Sequence, residues 1–222
     1  MTLTEFCSKV DHSCLGWICE KSIVRRFCEE VLQYGFASVC VNPDQVAYAA
    51  SLLQGRAGIS CVVGFPCGAN SAKIKIAEGL EAIANGATDL DIVSNLSKIR
   101  NREYDSLAAE YAEIVTAIRT ASPNTVIKFI IYAPYGQNPC FDEEELEKIS
   151  HLVTASGADY IKFVCDPDLI KSFTGGKIKM KFSGCSNFAV SYEALEKGCD
   201  RIGCDEKMIT WLEENKNVFE EA

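Results

Sequence analysis

The stretch Gly157-Ala158-Asp159-Tyr160-Ile161-Lys162-Phe163-Val164 decides the fold. A glycine, a small residue and a polar position lead into a run that is apolar except for one lysine. The same order returns in Gly86-Ala87-Thr88-Asp89-Leu90-Asp91-Ile92-Val93 and in Gly198-Cys199-Asp200-Arg201-Ile202-Gly203. Each glycine follows a helix-like segment, where it suits a left-handed C-cap. Each apolar run that follows has the length and composition of a strand. The repeated unit is the turn from helix to strand of a β/α protein.

Outward from these turns, the candidate strands are Val10–Leu15, Ser38–Val41, Ile59–Val63, Leu90–Val93, Val126–Tyr132, Tyr160–Val164, Ile178–Lys181 and Arg201–Gly203. Helix-like segments between them include Pro43–Leu53, Ala72–Ala84, Tyr104–Thr120, Asp142–Ala155, Phe188–Glu196 and Lys207–Glu214. Asp142-Glu143-Glu144-Glu145 places acids where the positive end of a helix dipole favours them. Strands alternating with helices indicate a parallel sheet. Eight such units in 222 residues predict an α/β fold, a closed (β/α)8 TIM barrel forming one domain over residues 1–222.

Composition narrows the function classes. Hydrophobic residues make up 48% and charged residues 24%, as in an ordinary globular protein. A net charge of −9 argues against general binding to nucleic acid or anionic lipid. The N-terminal stretch Met1–Val10 lacks the apolar core of a signal peptide, and no apolar run reaches the roughly 18 residues that span a bilayer. A cytoplasmic protein is expected. Twelve cysteines are present, no two spaced C-x-x-C, so a zinc site is not expected. Several sit in apolar runs, such as Cys40 in Ser38–Val41, where a free thiol acts as a small hydrophobe.

Barrel active sites lie at the C-terminal ends of the strands. Three charged residues fall there inside apolar runs: Asp91, Lys162 and Lys181. Burying them without partners is costly, so they are candidates for one another's partners. They could serve only to satisfy the barrel interior. They also make a coherent imine site. A free lysine, with a pKa of about 10.4, is almost wholly protonated at pH 7 and a weak nucleophile. Burial and a second ammonium both lower that value, and Lys181 is placed to do this to Lys162. Asp91 could then move protons to and from a substrate hydroxyl.

Taken together, Val10–Leu15 (VDHSCL), Ser38–Pro43 (SVCVNP), Val63–Asn70 (VGFPCGAN), Gly86–Val93 (GATDLDIV), Ile127–Ala133 (IKFIIYA), Ser156–Lys162 (SGADYIK), Met180–Cys185 (MKFSGC) and Asp200–Gly203 (DRIG) run nearly the whole length of the chain. In that order and spacing the sequence resembles the deoxyribose-phosphate aldolase family. The resemblance implies a class I aldolase with no metal and no other cofactor. It aligns Lys162 with the imine-forming lysine, Lys181 with the lysine that perturbs it, and Asp91 with the aspartate of the proton relay. Lys128 falls in a strand that supports the relay, and Asp11 and Cys40 fall near the substrate pocket. Ser183, Gly184, Gly203 and Asp205 fall at the far, acceptor end of that pocket. The implied partner is a small aldehyde or sugar, with no nucleic acid and no membrane, and a homodimer as the assembly.

The family's phosphate-binding elements are not matched. Phe163-Val164-Cys165-Asp166 stands where the family has a hydroxyl-rich loop. Gly184-Cys185-Ser186-Asn187 loses a glycine and a cation, and Gly203-Cys204 leads into Asp205-Glu206 in place of small residues and serines. A helix N-terminus binds phosphate well. A carboxylate there occupies the same positive end and repels the dianion, by about 4 kcal/mol per charge pair at about 4 Å and a dielectric of about 20. Tyr132-Ala133 replaces a usual Glu-Thr. Lys179 shares the strand parity of Lys181 and is expected inside the barrel, paired with Asp89. Three readings follow: an imine aldolase with an altered acceptor, an ordinary deoxyribose-phosphate aldolase, and a barrel kept as a non-catalytic binding or scaffolding protein.

Overall fold

The computed structural model describes residues 1–133 and 141–219. Cys140 lies outside them. Eight parallel strands close into one barrel in sequence order: β1 Val10–Cys14, β2 Ser38–Val41, β3 Gly58–Val63, β4 Asp89–Val93, β5 Val126–Ile130, β6 Tyr160–Phe163, β7 Lys179–Phe182 and β8 Arg201–Cys204. The outer layer contains α1 Leu3–Cys7, α2 Lys21–Tyr34, α3 Val46–Leu53, α4 Ala72–Ala84, α5 Leu96–Arg100, α6 Tyr104–Ala121, α7 Glu143–Ala155, α8 Pro167–Thr174, α9 Phe188–Glu196 and α10 Lys207–Glu214. The expected (β/α)8 barrel is therefore the observed fold. Helices α2 and α8 were not among the segments singled out from the sequence. Both are strongly amphipathic, with buried positions such as Val24, Phe27 and Val31 on one face of α2.

The repeated turns behave as their glycines require. Gly86, Gly157 and Gly198 have φ of +108°, +84° and +97°, a region that side chains with a Cβ rarely enter.

Strand alternation sorts the side chains into two unlike compartments. Outward positions such as Val39, Leu90, Phe129, Ile161, Phe182 and Ile202 are buried against the helices and form the hydrophobic core. Inward positions are largely polar: Asp11, Ser38, Ser60, Asp91, Lys128 and Lys181 are all fully buried. The register sets Asp91 beside Lys128, and Lys162 beside Lys181.

Lys179 departs from expectation. It is exposed, its Nζ lies 5.5 Å from the centre of the Tyr160 ring, and Asp89 pairs instead with Lys128 at 2.8 Å. Lys179 opens β7, so it stands at the N-terminal mouth of the barrel, where solvent replaces an ionic partner.

One ion pair outside the barrel braces the end of β4. Lys75 on α4 is buried, with Nζ 2.7 Å from Glu110 Oε1 on α6 and 2.7 Å from the Val93 carbonyl. Glu110→Ala would strand that ammonium in the helix layer. Removing one partner of a buried pair costs about 3–5 kcal/mol, so a Tm drop on the order of 10 °C is expected by calorimetry. Lys75→Met combined with Glu110→Leu should recover most of the loss. A single variant as stable as the parent would show that the pair braces nothing.

Candidate active site

Each strand contributes to one buried cluster through its inward positions. Asp91 Oδ2 accepts from Lys162 Nζ at 2.8 Å and from Lys181 Nζ at 2.7 Å. Asp91 Oδ1 lies 3.1 Å from Lys128 Nζ. Asp11 is a second hub, its Oδ2 being 2.5 Å from Lys181 Nζ and 3.3 Å from Lys128 Nζ. Asp11 Oδ1 accepts from Ser38 Oγ and from Arg201, each at 2.7 Å. Lys128 completes the network through Ser60 Oγ at 2.9 Å. Lys128, Lys162, Lys181 and Arg201 thus face Asp11, Asp89 and Asp91, a formal excess of one positive charge.

Burial by itself would raise the Asp91 carboxyl, but Lys128, Lys162 and Lys181 outweigh it and hold the group well below its usual range. Asp11 is lowered in the same way, burial being overcome by Lys128, Lys181 and Arg201. For Lys162, burial opposes the charge, but Asp91 dominates and holds the ammonium above its ordinary value. The sequence-based expectation that Lys181 keeps Lys162 partly neutral is thus corrected for the resting site. A carboxylate stands between the two lysines, and its attraction exceeds their repulsion. Lys181 and Lys162 occupy the same Asp91 oxygen.

A cavity of about 640 Å³ opens over the C-terminal ends of the strands. Of the four cations only Lys162 lines it, being 3% exposed where Lys128 and Lys181 are 0%. Ser13 near the end of β1 and Leu15, Gly16 and Trp17 after it form one wall, and Phe65, Tyr132 and Val164 come from the loops after β3, β5 and β6. Ser183–Cys185 and Gly203–Asp205 close the β7 and β8 side. Gly203 is needed there, because a Cβ would lie 2.8 Å from Ser183 Oγ and 3.4 Å from Lys181 Cε. The buried Ser183 hydroxyl has no hydrogen-bond partner among the described residues, so it is available to a ligand.

Of the residues singled out from sequence, Lys162, Ser183, Gly184, Gly203 and Asp205 line the cavity, and Lys181, Asp91, Asp11 and Lys128 join beneath it. Cys40 is wholly buried and does not line the cavity. Phe163 points into the helix layer, and Cys165 lies in a separate groove with Phe182 and Val190, so neither occupies the acceptor end. Val164 is the residue of that loop that faces the cavity. Asp205 remains on the wall, but Glu206 turns outward to Arg26 at 3.0 Å. Ser38, Ser60 and Arg201 were missed, although strand parity places all three inside. Trp17 carried no signal, because its position depends on a loop.

This geometry has close counterparts. The sequence profile of DeoC/LacD family aldolases matches residues 10–176. The chain belongs to that family. The deoxyribose-phosphate aldolase of Thermoanaerobacter pseudethanolicus is 34% identical over 206 residues, covering 87% of this chain and 90% of that protein. The enzyme of the same name from Lysinibacillus sphaericus is 34% identical over 210 residues, covering 89% and 91%. Among solved structures, the aldolase QR15 aligns with a TM-score of 0.83 at 32% identity, covering 96% of both chains. The tetrameric deoxyribose phosphate aldolase of Aeropyrum pernix shares the fold, with a TM-score of 0.83 at 24% identity over 97% of this chain and 93% of that one. The aldolase described here is accordingly a carbon–carbon lyase. No helix among its described residues is long and apolar enough to cross a membrane.

Lys181→Leu leaves Lys128, Lys162 and Arg201 against Asp11, Asp89 and Asp91, a balanced set, so the fold should persist by circular dichroism. Asp91 Oδ2 would then be engaged by Lys162 alone and hold it more tightly, Lys128 staying on Oδ1. Aldol turnover at pH 7 is expected to fall by about 100-fold or more, with the pH–rate profile displaced upward. Near-normal turnover at pH 7 would remove Lys181 from the machinery.

Proposed function

We propose that this aldolase is of the Schiff-base type, with Lys162 as the amine, and that it joins or cleaves a small aldehyde donor such as acetaldehyde and an acceptor without a phosphate. The observation that carries the reading is that, of the clustered ammonium groups, Lys162 alone opens onto the cavity. The Lys162 ammonium first gives up a proton to Asp91 or to a water. Its neutral Nζ then attacks the donor carbonyl carbon, and the carbonyl oxygen leaves as water, taking up that proton and a second one from the nitrogen, as the protonated imine forms. The protonated imine draws electrons from the adjacent carbon–carbon bond, the role a metal would otherwise fill. The iminium carries the same single charge as the ammonium it replaces, so the pairing with Asp91 is retained. Asp91 and Lys181 lie beneath Lys162, and proton exchange with the substrate hydroxyl runs through the lysines or through a water.

The acceptor end supports an altered substrate. Among the described residues, Lys162 and Asp205 are the charged ones on the cavity wall, and no arginine or second lysine lines it. Asp205 Oδ1 accepts from the Lys207 backbone N–H at 3.0 Å, which places its carboxylate at the start of α10, where a phosphate would sit. An acceptor bearing an amine or hydroxyl would meet Asp205 favourably. The ordinary reaction, cleavage of 2-deoxy-D-ribose 5-phosphate to glyceraldehyde 3-phosphate and acetaldehyde, is the second reading. It is favoured by the names of the relatives at 34% identity and by the outward turn of Glu206, which leaves one repelling acid instead of two.

Two measurements check these readings. Acetaldehyde with borohydride should add an ethyl group to Lys162, read by peptide mass spectrometry. An adduct confined to other lysines would overturn the assignment. For the acceptor, kcat/KM should favour an unphosphorylated analogue over 2-deoxyribose 5-phosphate. Asp205→Ser should move that preference toward phosphate, and Glu206→Ser should not. A preference of the unmodified protein for the phosphate ester by about a hundredfold or more would install the second reading.

A further inference from the structure

Leu15, Gly16 and Trp17 form one wall of the cavity, and a cysteine stands at each foot of that wall. Cys14 ends β1 and is buried; Cys19 precedes α2 and is half-buried. Their sulfurs are 3.8 Å apart. The Cys19 thiol folds back over the loop, 3.5 Å from the Cys14 carbonyl and 3.4 Å from the Gly16 carbonyl. A disulfide has its sulfurs about 2.0 Å apart, so closure needs only a short approach of two side chains that already face each other. We propose that Cys14 and Cys19 form a dithiol modification site, oxidised by a peroxide to a disulfide that fixes the Leu15–Trp17 wall of the cavity.

The two thiols are suited to successive steps. Burial, with Cys19 and Cys28 nearby, pushes the Cys14 thiol up to about 12, so it is a poor first nucleophile. Cys19 is the one that solvent reaches. The Cys19 thiolate attacks one peroxide oxygen and the O–O bond breaks, giving a sulfenic acid and, with one proton, water. The Cys14 sulfur then attacks the Cys19 sulfur and the S–O bond breaks. The hydroxyl leaves with the Cys14 proton as a second water. Two thiols are oxidised and one hydrogen peroxide is reduced to two waters. The bond ties the end of β1 to the start of α2, and the segment between them includes Trp17, which is 88% exposed. The wall then loses the freedom to adjust around an acceptor.

The test uses the full chain and one equivalent of hydrogen peroxide. Intact mass should fall by two hydrogens, and peptide mapping should find Cys14 joined to Cys19. The sequence has two tryptophans, so Trp211→Phe leaves Trp17 as the reporter. Its emission should drop on oxidation and return with dithiothreitol. If Trp211→Phe does not fold, the same change is read as the difference between the unmodified chain and Cys19→Ser. That second variant should keep basal turnover and lose the mass and emission changes. The KM for the acceptor aldehyde should rise severalfold in the oxidised parent and stay constant in Cys19→Ser, whichever acceptor the enzyme prefers. A linkage of Cys14 to Cys28, or of Cys185 to Cys204, in place of the expected one would overturn the proposal. A Cys14–Cys19 bond that leaves both emission and KM unchanged would also overturn it.

Discussion

Three ammonium groups share the Asp91 carboxylate inside the barrel, and the rest of the structure is arranged around that fact. Taking such charges out of water costs several kcal/mol per ion, and mutual attraction offsets this only when every remaining oxygen and proton is engaged. The barrel largely meets the condition by lining its interior with Asp11, Ser38, Ser60 and Arg201, all bonded into the same network, while Asp89 Oδ1 and Asp91 Oδ1 rely on the charge of Lys128. Few apolar side chains stand among these groups, Val62 and Ile130 being two that share the inward parity. Most apolar side chains point outward, and the hydrophobic core becomes the shell between strands and helices. Stability resides in that shell, because a buried ion cluster contributes little of its own.

The cluster also sets one ammonium apart from the others. Lys128 and Lys181 face carboxylates on more than one side and are sealed from solvent. Lys162 touches Asp91 from above and opens onto the cavity. The cost of this placement is a resting ammonium held above its ordinary value. In the proposed reaction that cost returns as stabilisation, since the iminium carries the same charge in the same place. In that reading, the second cation on the same carboxylate oxygen would moderate the grip on Lys162 without adding a competing nucleophile to the cavity.

Around the cluster, the loops set what can enter. Leu15, Trp17, Phe65, Tyr132 and Val164 supply apolar surface, and Asp205 supplies a negative charge opposite the lysine. In the proposed reading, that pattern disfavours a phosphate dianion, which needs donors and positive charge. Its own positive helix end at α10 is already engaged by the Asp205 side chain. The scaffold and the chemistry of the lysine cluster are thus separable from the recognition surface, as is usual in barrels whose loops vary over a constant sheet.

Much of this was legible in the sequence. Glycine-terminated turns before apolar runs specified the β/α repeat, and lysines and aspartates inside otherwise apolar strands marked Asp91, Lys162 and Lys181. Both signals are local, because strand alternation and helix capping depend on a few consecutive residues. Parity also pointed inward for Lys179, but its position at the strand's first residue put it at the barrel mouth, in solvent. Only the tertiary structure decided that Glu206 turns to Arg26, that Phe163 packs among helices and that Trp17 forms a cavity wall. It also decided the charge state of the site. Whether Lys162 is raised or lowered depends on whether a carboxylate or an ammonium is nearer, and those distances join residues 71 and 90 positions apart in the chain. Sequence fixes which groups a strand points inward; closure of the barrel alone fixes how far apart they stand, and electrostatic energy depends on that separation.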